Sequence, residues 1–482
     1  RPDLNIFTGN AVTFANPGND VIDASAINQS VTIYGGEGND LIYGSKAGDH
    51  LAGGSGDDTI HGGSGADHIY GDSGLNLDFD VTVDDKGVHS ASRALTVQTL
   101  DTSVKYSRDE LVAGKDKIYG DEGNDIIFGD LGVIDQSPLK LLSTENVTEI
   151  RSERFSNGEA DFISGGADND IIIGGNKGDE INAGEGNNII LGDAGQIKYN
   201  LDGNLSDIDL IESLSTTAEG GADTINSGDG DDIIIGGRFN DGITAGDGNN
   251  LVIGDSGRIT AASADGPQLG VAMTFGLIET IAFGDGGSDT ITTGSGADII
   301  LGGHNDGDGL TVETITAGEG NNIVIGDDGK IDYTRADRES VAGADTDASD
   351  IDLIESLSTT AAGGLDTITT GSGNDIIIGG RFGDTIIANA GDNLVIGDSG
   401  KVAASSSNAP QFGVTMTYGL IETVEFGDGG VDTITALGGN DIVLGGHAGD
   451  GINAGEGNNI VLGDDGKIDY TRADRESVAG AD

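Results

Sequence analysis

Residues 35–70 repeat every nine positions, reading GGEGNDLIY, GSKAGDHLA, GGSGDDTIH and GGSGADHIY. Asp40, Asp49, Asp58 and Asp67 fall nine residues apart, and so do Ile42, Leu51, Ile60 and Ile69. Self-similarity this strict is the mark of a repeat architecture, in which each unit buries its apolar side only by stacking on the next. The first six positions of a nonad combine glycine with Asp or Asn, residues that tolerate positive φ and make turns. The last three favour Ile, Val, Leu, Thr and Tyr, which suit a short strand. In a three-residue strand the middle side chain points one way and its neighbours the other, so position eight faces inward. Each nonad is then a turn plus a short strand, and two nonads complete one coil of a flattened parallel solenoid.

Turns stacked on turns bring rows of carboxylates and backbone carbonyls close together. Hard oxygen donors at that density suit calcium, which takes roughly 6–8 oxygens; magnesium demands a tighter octahedron and keeps its waters. The pattern closely resembles the repeats-in-toxin (RTX, hemolysin-type) calcium-binding nonapeptide repeat family, with interruptions, from Pro17 to Asp469. The resemblance implies an all-β fold of parallel β-roll (β-solenoid) blocks stacked in a tandem array, here joined by hairpin-like connectors. It also implies multiple Ca²⁺ ions and type I secretion of an unfolded chain.

The array divides as follows. Residues 1–74 are a lead-in and first block, with Asn16-Pro17-Gly18-Asn19-Asp20-Val21-Ile22 as a degenerate first turn. Residues 75–113 break the period, and alternation at Phe79, Val81 and Val83, then Leu95 and Val97, predicts a hairpin. A short second block spans 114–135, and an excursion at 136–158 includes an expected short helix around Leu139–Ile150. Block three is 159–198. Connectors then lead each later block in the segments 199–260, 261–332, 333–402 and 403–482, the blocks themselves being 220–260, 284–332, 363–402 and 427–469. Each later block ends in G-D-x-G-x-[IV]. Asp209-Leu210-Ile211-Glu212-Ser213-Leu214 recurs at Asp352, and Gly276-Leu277-Ile278-Glu279-Thr280 at Gly419, so pairs of blocks form a longer unit. Tyr470 to Asp482 repeats Tyr333 to Asp345, and Arg1 stands where an initiator Met would be, so the chain reads as a segment of a longer array.

The expected metal ligands are the loop and closing aspartates. They are Asp40, Asp49, Asp58, Asp67 and Asp72 in block one, and Asp125 and Asp130 in block two. Blocks three and four add Asp161, Asp170, Asp179, Asp193, Asp223, Asp232, Asp241 and Asp255. Block five adds Asp289, Asp298, Asp306 and Asp327. Blocks six and seven add Asp366, Asp375, Asp384, Asp398, Asp432, Asp441, Asp450 and Asp464. Consecutive loops lie on opposite edges of the roll, so stacked partners are two nonads apart: Asp223, Asp241 and Asp255 on one edge, Asp232 and Asn250 on the other. The third loop carries Asn in place of Asp at Asn188, Asn250, Asn322, Asn393 and Asn459, which predicts weaker sites resting more on backbone oxygens.

A formal charge of −60 from 23 basic and 83 acidic residues keeps such a chain expanded unless cations bind, and makes nucleic acid and anionic lipid poor partners. With no cysteine there is no disulfide framework or Cys-based zinc site, and with no tryptophan the core is thin and aliphatic. No apolar run approaches the ~18 residues of a membrane span, and no signal peptide is visible. In blocks three to seven one sheet is apolar on both faces (Ile233-Ile234-Ile235, Leu251-Val252-Ile253), whereas the other is polar outside (Thr224-Ile225-Asn226). A strand apolar on both faces is normally buried on both. The cover is either the connectors, through Val271, Met273, Phe275, Leu277 and Ile278, or a second block or copy. Block one, with His61, His68 and Tyr70 outward, reads as polar outside.

Several segments imitate enzyme motifs. Gly254-Asp255-Ser256-Gly257 resembles a serine-protease nucleophile segment, but Leu131, Ala194, Asp328 and Asp465 fill the serine slot in other blocks, so it is a turn. No H-E-x-x-H occurs, the histidines are scattered, and G-x-G-x-x-G matches lack a βαβ context. Arg335, Arg338, Arg472 and Arg475 concentrate positive charge in the connectors. The expected protein is a non-enzymatic, calcium-binding structural array of a large bacterial secreted or cell-surface protein, of stalk, filament or surface-layer type. It would fold on meeting extracellular calcium and associate with further copies or units. A calcium-dependent folding and export module of a type I-secreted enzyme or toxin, and a ligand-binding adhesin, are the alternatives.

Overall fold

The computed structural model describes residues 18–78, 82–83, 89–90, 93–96, 112–137, 144–153, 156–215, 219–262, 273–283, 286–305, 312–337, 347–357, 363–405, 416–427 and 429–471. The chain forms two compact units, Arg1–Gly228 and Asp229–Asp482. Both are built from the same three kinds of sheet.

In the second unit one parallel sheet stacks short strands from Gly242–Ala245 through Thr290–Thr293, Val312–Thr316, Leu365–Thr369, Thr385–Ala390 and Thr433–Gly438 to Gly451–Asn453. A second stacks Ile233–Ile235, Leu251–Ile253, Ile299–Leu301, Ile323–Ile325, Ile376–Gly380, Leu394–Asp398, Ile442–Leu444 and Ile460–Leu462. Position eight faces the interior as the alternation requires: Ile243, Ile291, Val252 and Ile300 are buried. The flanking residues separate the two sheets. Thr290 and Thr292 are exposed, whereas all three residues of Ile233–Ile235 and Leu251–Ile253 are buried.

The cover of that apolar sheet is the chain's own connectors. Gly257–Ala261, Phe275–Thr280, Gly329–Asp332, Leu353–Ser356, Gly400–Ala404, Tyr418–Thr423 and Lys467–Asp469 make a third, antiparallel sheet. Its central column, Ile259, Ile278, Ile331, Ile354, Val402 and Ile421, is fully buried. Each closing motif feeds it directly: a Cβ on Gly257, Gly329 or Gly400 would stand 2.6 Å from Ile253, Ile325 or Ile396 of the apolar sheet. Only glycine lets the two layers approach so closely. The connector readings at Met273, Phe275 and Ile278 thus find their place as buried residues, and Val271 lies outside the described residues. The outward column of the cover alternates in charge, Arg258–Glu279–Lys330–Glu355–Lys401–Glu422–Lys467 in register, with Lys330 and Lys401 at 3.0 and 3.1 Å from Glu355.

The first unit repeats this plan with more variation. Its parallel sheets run from Val21–Asp23 to Thr224–Gly228 and from Thr32–Glu37 to Ile189–Asp193, and Ile42, Leu51, Ile60 and Ile69 are all buried. Gly74–Asp78 pairs antiparallel with Arg93–Thr96; Phe79, Val81 and Val97 lie outside the described residues.

Two expectations are corrected. The helix around Leu139–Ile150 is not formed in its described part, residues 144–150. Val147–Ser152 is a strand antiparallel to Gly132–Gln136 and Gly195–Lys198, with Ile150 buried and Arg151 turned out to Asp135 at 2.9 Å. The tertiary pairing outweighs whatever helical preference the segment carries. Nor is block one's outer face polar throughout: His50, His68 and Tyr70 are buried, Tyr70 stacking on Phe128 at 5.2 Å. Among the described residues the one helical element is the 3₁₀ turn Arg335–Asp337, and no helix is long and apolar enough to cross a membrane.

Candidate metal centre

The loops at the sheet edges stack into ladders. In the first unit the backbone N–H of each sixth-position residue donates to the carboxylate of the stacked loop. On one edge Asp20 donates to Asp40, Asp40 to Asp58, Asp58 to Asp116, Asp116 to Asp161, Asp161 to Asp179 and Asp179 to Asp223, all at 2.7–2.8 Å. On the other edge the chain runs Val31, Asp49, Asp67, Asp125, Asp170 and Asn188. Stacked partners are two nonads apart where no excursion intervenes, as with Asp40–Asp58 and Asp161–Asp179, and across an excursion the ladder bridges a longer span, as with Asp58–Asp116 and Asp116–Asp161. Outside it runs a fifth-position ladder that the sequence reading missed, for example Asn39 N–H to Asn19 Oδ1 at 3.0 Å and Asn187 N–H to Asn169 Oδ1 at 2.7 Å.

Most rungs use Oδ1 for the ladder and turn Oδ2 inward, whereas Asp49 Oδ2 accepts the Ser45 N–H. Asp40, Asp58, Asp67, Asp125, Asp161, Asp170 and Asp179 all have a buried Oδ2 with no hydrogen-bond partner. That atom and a backbone carbonyl oxygen flank the same glycine. A Cβ on Gly35 would stand 2.3 Å from Asp40 Oδ2 and 2.4 Å from the Gly53 carbonyl oxygen; on Gly53 it would stand 2.2 Å from Asp58 Oδ2 and 2.3 Å from the Gly71 oxygen. The first glycine of the nonad is thus fixed by a cradle of oxygens. A fourth-position glycine such as Gly391, at φ 152° with the Gly373 oxygen against it, is fixed by its backbone.

Burying carboxylates with no donor is unfavourable unless a proton or a cation compensates. Burial pushes the Asp58 and Asp67 carboxyls from the ordinary 3.8 up to about 8 and Asp125 to about 9, with neighbouring aspartates raising them further. Orphaned oxygens beside convergent carbonyls fit a hard cation of calcium's type, with Asp Oδ2 and the glycine carbonyls as its holders. Among the described residues no three acidic or imidazole side chains converge on one point, so backbone carbonyls must supply the rest of any shell.

In the second unit the edges differ. One carries Asp241, Asp289, Asp366, Asp384, Asp432 and Asp450, with the N–H of Asp241, Asp366, Asp384 and Asp432 donating to the next aspartate. Oδ2 of Asp289, Asp366, Asp384, Asp432 and Asp450 is buried and without a partner. The other edge alternates: Asp232, Asn250, Asp298, Asn322, Asp375, Asn393, Asp441, Asn459. There each asparagine accepts the ladder N–H on Oδ1 and donates Nδ2 to its own loop's carbonyls. Asn250 reaches Gly246 and Gly248 at 3.0 and 3.3 Å, and Asn322 reaches Gly318 and Gly320 at 3.0 and 3.4 Å. Thr293 and Thr370 donate their hydroxyls to Oδ2 of Asp298 and Asp375 at 2.6 Å, and burial lifts those two carboxyls only to about 6.

The closing aspartates form a separate class. Asp255 accepts the N–H of Gly287 at 3.0 Å and of His304; Asp327 that of Gly364 at 3.0 Å and of Arg381; Asp398 that of Gly430 at 2.9 Å and of His447. Asp130 takes Asn176 at 2.7 Å and Glu159 at 3.3 Å, Asp193 takes Gly221 at 2.9 Å, and Asp72 takes Gly114 at 3.0 Å. They clamp the lead-in of the following turn. Asp464 is exposed, and Asp306 lies outside the described residues. The sequence reading left out Asp20 and Asp116, which belong to the ladder, and Glu313, which stands at a rung position opposite Asp366 without accepting a ladder N–H. Their signal was an acidic residue two positions before an inward isoleucine: Ile22, Ile118 and Ile315.

The family model for the RTX calcium-binding nonapeptide repeat matches residues 29–77, 113–133, 155–196, 217–258, 281–306, 309–330, 361–401 and 426–461, more than half of the chain. No curated protein matches the sequence. Among solved structures, a hyperactive, Ca²⁺-dependent, beta-helical antifreeze protein from an Antarctic bacterium aligns at 14% identity. The alignment covers 80% of this chain and 86% of that one, with a TM-score of 0.27. The chain belongs to the RTX calcium-binding nonapeptide repeat family.

Proposed function

We propose that this chain is a calcium-folded, non-catalytic scaffold segment of a large secreted or cell-surface protein, of stalk, filament or surface-layer type. The observation that carries this reading is the column of buried, donorless Oδ2 atoms facing glycine carbonyls along the stacked loops. At the low calcium of a cytosol those carboxylates repel one another and the chain stays open; at extracellular calcium the ions close the column and the roll forms. The rung carboxylates are the principal ion ligands, and closing aspartates such as Asp255, Asp327 and Asp398, each accepting two backbone N–H groups, serve as clamps. Export in the unfolded state by a type I machinery is what membership of the family implies, and it agrees with folding on meeting calcium outside. The connectors cover the apolar sheets, so contact with further copies or units would use the polar sheet or the charged outer face of the cover.

The test is calcium titration of EDTA-treated protein at neutral pH, followed by far-ultraviolet circular dichroism. Ions bound at saturation are counted by equilibrium dialysis. β-structure formed equally well without calcium would end the reading. Imaging of the calcium-loaded chain is expected to show stiff rods, and flexible beads would remove the scaffold part of it.

A further inference from the structure

One rung of the acidic edge in the second unit is built differently from its neighbours. Val312–Thr316 lies in register with Leu365–Thr369, so Glu313 stands opposite Asp366, and with Thr290–Thr293, with Thr314 opposite Thr290. Glu313 therefore occupies the rung between Asp289 and Asp366. At ordinary rungs the ladder N–H takes Oδ1, as Asp366 N–H does on Asp384 at 2.9 Å, and one oxygen remains. Glu313 is fully buried and neither carboxylate oxygen has a hydrogen-bond partner. Asn305 Nδ2 donates to Asp366 Oδ1 at 3.0 Å, at the place where the preceding rung's N–H donates elsewhere. The position a Cβ would take on Gly302 falls on Glu313 Oε1 and the Gly326 carbonyl oxygen. At Gly326 the corresponding atoms are Asp366 Oδ2 and the Gly379 oxygen. The longer side chain thus reaches the same column with both oxygens free.

We infer that Glu313 is a two-oxygen cation ligand that makes its rung a calcium-selective site, distinct from the one-oxygen aspartate rungs. A bidentate carboxylate fits the large, irregular shell of calcium and misfits the small octahedron of magnesium. This rests on the reading that the acidic edge holds calcium.

The experiment uses the full chain, stripped of metal and dialysed against labelled calcium with and without a large excess of magnesium. Glu313→Gln, Glu313→Asp and, as a reference rung, Asp384→Asn are compared with the parent, with circular dichroism in saturating calcium as the folding check. The parent is expected to keep at least one ion in magnesium. Glu313→Gln should hold one ion fewer in both conditions. Glu313→Asp should keep its ion in calcium alone and lose it roughly ten-fold more readily to magnesium. Equal counts for the parent and both Glu313 variants, with an ion lost in Asp384→Asn, would overturn the inference and leave the calcium reading standing. No ion lost in any variant would remove both. If Glu313→Gln does not fold, the magnesium competition of Glu313→Asp decides.

Discussion

On one edge of the second unit every described rung from Asp241 to Asp450 is a carboxylate, whereas on the other aspartate and asparagine alternate from Asp232 to Asn459. Both edges carry a hydrogen-bond ladder, glycine turns and an inward aliphatic residue two positions after each rung, Ile on the acidic edge and Ile or Val on the alternating one. They differ in what fills the space behind the ladder. On the alternating edge an amide nitrogen donates to the loop carbonyls and a threonine hydroxyl to the carboxylate, so the chain supplies the positive ends itself. On the acidic edge, among the described residues, no threonine hydroxyl or rung amide plays that part, the Asn305 amide on Asp366 Oδ1 being the exception, and the carboxylates of Asp384 and Asp432 are raised by burial, with neighbouring carboxylates adding to the rise. The unmet demand for a positive partner is thus concentrated on the acidic edge.

The largest expected effect is a pH dependence of the metal-free chain that runs opposite to ordinary acid denaturation. A carboxyl raised from 3.8 to about 8, as at Asp58 and Asp67, or to about 7, as at Asp432, binds its proton more tightly folded than unfolded. That contribution to stability is fully present below 3.8 and is lost as pH rises through about 7–8. In EDTA the chain should therefore hold more β-structure at pH 5 than at pH 8, and calcium should abolish the difference. Circular dichroism across that range, with and without calcium, checks it; a metal-free fold that strengthens toward pH 8 would break the comparison.

Next in size is an exchange of chemistry between edges. Asn393 accepts from Asp375 at 3.0 Å and donates Nδ2 to Asn389 and Gly391 at 3.3 and 3.1 Å. Asn393→Asp removes both donations and leaves a buried carboxylate facing carbonyls. In EDTA it is expected to cost about 2–4 kcal/mol. In calcium most of that loss should be recovered with one additional bound ion. Asp384→Asn is the reciprocal change and should bring one ion fewer and a lower calcium midpoint, with a stability change of about 1–2 kcal/mol in EDTA. Thermal melts paired with ion counts read both, and calcium-independent melts for the two variants would show that the edges do not differ in the way described.

The nine-residue period made the roll, its inward isoleucines and the alternation of edges legible, because a strand's two-residue geometry leaves few choices once the period is known. The double apolarity of Ile233–Ile235 likewise announced a cover, while the connector residues Met273, Phe275 and Ile278 offered one source and left a second block or copy open. What the one-dimensional pattern hid was partner chemistry across stacked loops. Asn250 reads as a weakened ligand until its Nδ2 is seen on Gly246 and Gly248. Thr293 reads as one more strand residue until its hydroxyl is seen on Asp298. Glu313 was hidden by a longer loop that moves the acidic residue out of the G-G-x-x-x-D frame, so that Asp306 drew the assignment instead. Asp116, with no complete nonad around it, was recoverable only from its spacing to Ile118.

The finest difference lies within the alternating edge itself. Thr293 and Thr370 stand five residues before Asp298 and Asp375 and donate to Oδ2; the same place before Asp441 is Ala436, and Asp441 Oδ2 is buried with no partner. Ala436 is itself fully buried on Thr433–Gly438, in the strand position that Thr293 holds on Thr290–Thr293. Ala436→Thr should therefore place a hydroxyl on Asp441 Oδ2 and stabilise the metal-free chain by about 0.5–1.5 kcal/mol. Thr370→Val should cost a similar amount by stripping the donor from Asp375. The two changes are expected to have opposite signs in EDTA and to shrink together in saturating calcium, since an ion can take the place of the hydroxyl. If Ala436→Thr lowers the melting temperature in EDTA, the hydroxyl does not supply the missing donor at Asp441.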